Sequence, residues 1–125
     1  YDGTRSKWLS VDEQHFDWAD NNAKGKYLPI GSAFGNQVGF KIPVGSTITK
    51  VTARASGGDT SRELQLRKNG VATSIKTFSL SAGEYTSTND NIDLATGDYL
   101  QVFVSGAAGQ PVKDIVVSVY LRWRV

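Results

Sequence analysis

The residues best suited to chemistry lie in one stretch near the N-terminus: Asp12, Glu13, His15, Asp17 and Asp20. Two carboxylates flanking a glycosidic bond can hydrolyse it, one as acid and the other as base or nucleophile. On an extended chain Glu13 and Asp17 share a face, as such a pair requires, but solvated carboxylates do so as readily. His15 is the only histidine. A two-His metal site is therefore excluded, and any Ser-His-Asp site has to be built around this residue. The runs 17–22 and 89–93 are rich in side-chain oxygens that suit a hard cation. Neither has EF-hand spacing, and Asp and Asn are also the residues of turns. Gly57-Gly58 and Gly106 belong to no phosphate-binding loop motif. With no Cys in the chain, disulfides and thiolate metal sites are excluded. The residues predict no enzyme, no cofactor and no metal.

The chain has 125 residues, 39% hydrophobic and 21% charged, with net charge +2. That is one soluble domain. Its weak, scattered basicity predicts no nucleic-acid partner. No apolar run has the length of a membrane-spanning helix, and no membrane insertion is expected. Met is absent even at position 1, which suggests a fragment, a processed product or the ordered part of something longer.

The elements that must carry any site read as strands. Ile115, Val117, Val119, Leu121, Trp123 and Val125 alternate along the final stretch, a pattern with one face in a core. So apolar a terminal segment is predicted to be an interior strand. Residues 1–7 are polar and read as a tether, with 8–125 as the domain. A first strand is expected over 8–18, then a long irregular stretch over 19–36 with a short strand near Tyr27-Leu28. Alternation marks further strands at 38–42, 48–56, 63–67, 73–80, 91–94 and 99–104. Asn69-Gly70 is the strongest hairpin signal, since both residues tolerate φ > 0. About eight antiparallel strands and no helix predict an all-β two-sheet sandwich, and a jelly roll is favoured over an immunoglobulin fold.

Two strands carry apolar residues on both faces. Tyr99 and Phe103 lie opposite Leu100, Val102 and Val104; Val116 and Tyr120 lie opposite the core face of the last strand. A sandwich buries only one face of each strand, so the second face predicts a subunit interface. Arg122 and Arg124 are expected to join it, stacking on aromatics or pairing with a neighbour's acids.

Tyr1-Asp2-Gly3-Thr4-Arg5-Ser6-Lys7-Trp8-Leu9-Ser10 resembles the opening of C-terminal head domains in bacteriophage fibre, appendage and decoration proteins. Leu66-Arg67-Lys68-Asn69-Gly70, Gly97-Asp98-Tyr99-Leu100-Gln101-Val102 and Val119-Tyr120-Leu121-Arg122-Trp123 extend the resemblance over nearly the whole chain. Such heads are similar to the jelly rolls of the tumour-necrosis-factor and complement-head superfamily, which form trimers. The resemblance implies a non-enzymatic virion structural protein, a homotrimer on the virion surface, joined to other virion proteins through its N-terminal segment. Host attachment, to a cell-surface glycan for instance, would use the loops at the end away from the termini. Strand reversal assigns to that end Ala19–Asn36, Ser56–Ser61, Ser81–Asp90 and Ser105–Lys113. Within them Gly57, Gly58, Asp59, Gly83, Glu84, Tyr85, Ala107, Ala108 and Gln110 are candidates for contact. The turns Pro43–Ser46, Lys68–Val71 and Ala95–Asp98 fall at the base. Two other readings stand beside this one. One is an extracellular carbohydrate-binding module using Trp8, Trp18 and Tyr27, although alternation makes Trp18 a core residue. The other is an extracellular filament subunit.

Overall fold

The final strand, β11 (Val112–Trp123), is the longest and lies inside a sheet. The structure is a computed structural model that describes residues 1–33 and 35–125. On one side β11 pairs antiparallel with β1 (Gln14–Ala23), and on the other with β4 (Ser46–Arg54). Its alternation explains the placement. Ile115, Val117, Val119 and Leu121 are buried, and a strand with such a face must have neighbours on both edges.

The other elements are β2 (Lys26–Tyr27), β3 (Phe40–Lys41), β5 (Gly57–Gly58), β6 (Glu63–Lys68), β7 (Lys76–Ser79), β8 (Glu84–Ser87), β9 (Ile92–Leu94) and β10 (Tyr99–Val104). The first sheet runs β1-β11-β4-β8, with β9 continuing beside β4 and β5 against β11. The second runs β2-β10-β6-β7, with β3 also beside β10. Taking β2 with β3 and β8 with β9 as interrupted strands, and setting aside the two-residue β5, leaves eight, with the sheet orders of a jelly roll. The core between the sheets holds Trp18, Ile48, Val51, Leu64, Leu66, Leu100, Val102 and the inward face of β11. Phe40 joins the layers, stacked on Phe16 at 4.6 Å and edge-on to Trp18 at 5.0 Å.

Several boundaries differ from expectation, each for a local reason. The first strand begins at Gln14, not residue 8. Trp8 and Val11 are exposed, and the apolar look of 8–11 belongs to a segment bridged to the C-terminus through Leu9 and Arg124. Trp123 is half-buried and Val125 is 84% exposed, because the core ends at Leu121. Asn69 and Gly70 take φ of 59° and 70°, and Val71 N–H donates to Lys68 O at 3.1 Å, as the dipeptide predicts. The return strand then starts at Lys76 rather than 73, because residues 71–74 bulge out before Leu66 meets Lys76. The stretch 81–90, expected as a loop, contains β8. Ala82 and Gly83, with φ of 51° and 79°, reverse the chain at once, so Glu84 can pair with Arg54.

Residues 1–7, expected as a tether, are docked on the first sheet. β4 changes partner between Ile48 and Val51, from β9 to β8, and the N-terminal segment reaches the backbone at that break. Arg5 supplies the donors: its Nη2 gives to Thr49 O and Thr88 O at 3.0 Å, and its Nε gives to Asp90 O. Lys7 Nζ reaches Asp93 at 2.7 Å.

Candidate functional site

The loops expected at one end of the domain meet around a side chain that alternation places in the core. Arg62 has the same strand parity as Leu64 and Leu66, and it is 2% exposed. Its Nη1 donates to Ser105 O and Ala107 O, and its Nη2 to Gln110 O. Its Nε lies 3.1 Å from Asp59 Oδ2. A buried guanidinium needs a charge partner and acceptors; Asp59 supplies the charge and the loop carbonyls take Nη1 and Nη2, while Nε makes no hydrogen bond among the described residues. Hydrogen bonds from the Ser61 backbone and hydroxyl, together with the Arg62 charge, hold the Asp59 carboxyl below its ordinary range.

The loop 105–111 is thus fixed from beneath by the loop 56–61. Asp59 N–H donates to Pro111 O at 3.1 Å, and Gly57 and Gly58 pair with Lys113 and Val112. Gly58 has φ +71°, and a Cβ there would stand 2.1 Å from Pro111 O, so glycine is required for this approach. Gly83 N–H donates to Thr60 O at 2.9 Å, and Lys24 Nζ donates to Gly109 O at 2.9 Å. Gly57, Gly58, Asp59, Gly83, Ala107, Ala108 and Gln110 therefore belong to one cluster of connected loops. Ala107, Ala108 and Gln110 are exposed on it.

Four of the predicted contact residues stand in strands: Gly57 and Gly58 form β5, and Glu84 and Tyr85 are in β8, where Glu84 is 4.0 Å from Arg54 and the Tyr85 ring stacks on Phe78 at 4.3 Å. The stretch 19–36 also divides. Gly25 packs against Gly106 at the loop end, whereas Asn36 reaches Gly70 and Tyr99 at the opposite end. Position 34 within this stretch lies outside the described residues.

That opposite end collects the tight turns and both chain ends. Asn69 Nδ2 donates to Asp98 Oδ1, and Tyr99 N–H donates to Asn69 Oδ1, each at 2.9 Å. The Asn69 hydrogen bond leads the causes that hold Asp98 below its ordinary range. Arg124 N–H donates to Gly45 O and Val125 N–H to Trp8 O. The Arg124 side chain turns inward on its own chain, donating to Ser46 O and Leu94 O and lying 3.5 Å from Asp93.

The residues predicted for a subunit interface fall on two opposite outer faces. Tyr99 and Phe103 lie on the second sheet. Phe103 is half-buried there under the Arg67 guanidinium, 3.8 Å from its ring, and against Tyr27 at 5.1 Å. Val116, Tyr120 and Arg122 lie on the first sheet. Val116 is 47% exposed, and Tyr120 is flanked by His15 at 5.3 Å and by Lys50 Nζ at 4.2 Å.

The N-terminal carboxylates do not converge. Glu13 is 3.7 Å from Lys50, Asp17 accepts from Ser118 and meets His15, and Asp20 pairs with Lys26. Among the described residues no three His, Cys, Asp or Glu side chains gather as a metal would need, and no helix is long and apolar enough to cross a membrane. The aromatics of the carbohydrate-binding reading are also apart. Trp18 is in the core, Tyr27 is on the second sheet, and Trp8 packs on Tyr1 beside the termini.

Sequence reasoning missed Arg62, and the signal was present: a charged residue two positions before Leu64, in the inward register. It also missed Arg5, which no periodicity marks.

No protein-family model matches the sequence, and no curated protein matches it. Among solved structures, the crystal structure of FLHE overlays with a TM-score of 0.45 at 13% identity, covering 92% of this chain and 100% of that one. A likeness that loose carries no argument about what this chain does.

Proposed function

We propose that this chain is a non-enzymatic head domain of a tailed-bacteriophage virion, trimeric and exposed on the particle surface, whose loop end attaches to a host surface or glycan. The observation that supports it is the polarity of the jelly roll. Both termini and the tight turns lie at one end, and the loops joined through Arg62 lie at the other. A domain held at its termini presents the opposite end outward, and loops on a rigid scaffold are where recognition usually resides. The tip residues Ala107, Ala108 and Gln110 are exposed side chains on that fixed loop.

The experiment is to tether the domain to beads through Tyr1 and measure capture of host cells. Substitution of Ala107, Ala108 and Gln110 together should abolish capture. Substitution of Asn69 should leave it intact in the folded fraction. Capture lost with the Asn69 variant and kept with the loop variant would reverse the assignment of the ends.

A further inference from the structure

We infer that the outer face of the first sheet, rather than that of the second, is the face through which copies of this chain associate, and that Arg122 there takes the Asp12 carboxylate of a neighbouring copy. The inference rests on the trimeric reading above and deepens it.

Both outer faces carry the aromatic residues that make an interface attractive, but they differ in what is left over. On the second sheet the second apolar face is covered by the chain itself. Arg67 lies over Phe103, gives one hydrogen bond to Tyr27 Oη and another to Gln65, and so has its donors directed. Gln101 beside them is buried by the segment 35–38, whose carbonyls it caps at Gly35 and Val38. Nothing on that face asks for a partner.

The first sheet is different. Arg122 has no ion pair within 4.0 Å and no side-chain hydrogen bond among the described residues, and its Nε is buried without a partner. A guanidinium partly withdrawn from water and left unpaired is a costly arrangement that a carboxylate would relieve, because Arg and carboxylate pair through two parallel hydrogen bonds. Arg122 also divides two open clefts. One, of about 410 Å³, lies under the N-terminal segment beside Tyr1, Ser10 and Val11. The other, of about 290 Å³, lies beside Arg5, Glu13 and Lys50. The side chain therefore stands where a group from outside can reach it.

The complementary charge is in the same chain. Asp12 is exposed and has no cation within 4.0 Å among the described residues, unlike Glu13 with Lys50 and Asp20 with Lys26. It follows Val11, which is 91% exposed and lines the first cleft. A protruding corner and the cleft beside it form a knob and a hole. Points near a rotation axis are displaced little by the rotation, so a knob and hole that are neighbours in one chain meet between copies when the axis passes close by. The charge complementarity between Asp12 and Arg122 points to a second copy as the occupant.

The test is sedimentation velocity of the intact chain at micromolar concentration, with circular dichroism to confirm folding. Arg122→Glu and Asp12→Arg should each dissociate the trimer, shifting the dissociation constant by at least a hundredfold, and the double reversal should restore association. Arg122→Gln, which removes the guanidinium without reversing the charge, should weaken association less than Arg122→Glu. None of these should unfold the domain, since neither side chain holds a partner within it. A stable trimer in both single variants would overturn this assignment and leave the trimeric reading standing. A double variant that stays dissociated would overturn the pairing with Asp12. A monomeric wild-type chain would overturn both.

Discussion

Replacing Arg62 by Ala tests whether the loop end is built as described. The side chain is buried and donates to the carbonyls of Ser105, Ala107 and Gln110. Removing it strands acceptors that water reaches only if the loops open. A hydrogen bond to a charged group contributes about 1.5–3 kcal/mol. The bonds share one guanidinium and do not add, so the expected loss is about 3–5 kcal/mol, that of breaking a buried charged cluster. This leaves out the Asp59 carboxylate, whose release into water offsets part of the loss. With a urea m-value of about 2 kcal/mol per M, the midpoint should fall by about 2 M. Arg62→Lys keeps the charge but not the planar fork, and should fall between wild type and Arg62→Ala. Amide exchange over 105–111 should accelerate in both variants, more than exchange in β4 and β11. A loss below about 1 kcal/mol, with unchanged exchange in that loop, would refute the clamp.

Other outcomes follow from the same geometry. Trp18→Ala, at a fully buried position between Phe40 and the inward face of β11, should cost about 3–5 kcal/mol by chemical denaturation. Gly58→Ala meets both positive φ and the Pro111 carbonyl, and should lower the melting temperature and loosen 105–111 in amide exchange. Acid should weaken the base of the domain. Asp98 is held below the ordinary value of 3.8, first by Asn69. For Asp93 burial works in the opposite direction, but hydrogen bonds from Lys7 and Thr47 prevail and it too is held below 3.8. Just below that pH the unfolded chain binds more protons than the folded one. The stabilisation is complete above the unfolded value and is lost as pH falls through the folded values. Urea midpoints taken from about pH 6 down to about pH 3 should show this decline, and Asp98→Asn should flatten it.

Much of the architecture is legible in the sequence because strands announce themselves by parity. β6 alternates cleanly, and β10 and β11 keep a buried apolar residue at every second position although their other face carries apolar residues too. Asn69-Gly70 is legible because positive φ at two successive positions is a covalent property of those residues. The first strand is misread because Trp8, Leu9 and Val11 satisfy the same pattern while being held by contacts with the chain's other end. β8 is hidden because Glu-Tyr-Thr-Ser has only one apolar residue, and its pairing with β4 is decided by a long-range partner. The loop cluster is legible as a set of loops at one end, but not as a connected one. The connection depends on Arg62, whose role appears only when residues 105–110 are folded over it. The two-faced strands are legible as an anomaly. Which face is already covered is not, because Arg67 and the segment 35–38 reach Phe103 and Gln101 from other parts of the chain.

The most direct test of the account is the mass of the wild-type chain in solution. Sedimentation equilibrium at micromolar concentration should give three times the 13.5 kDa of one chain, independent of moderate dilution. A single-chain mass across that range would contradict the proposal that this domain works as a trimeric head.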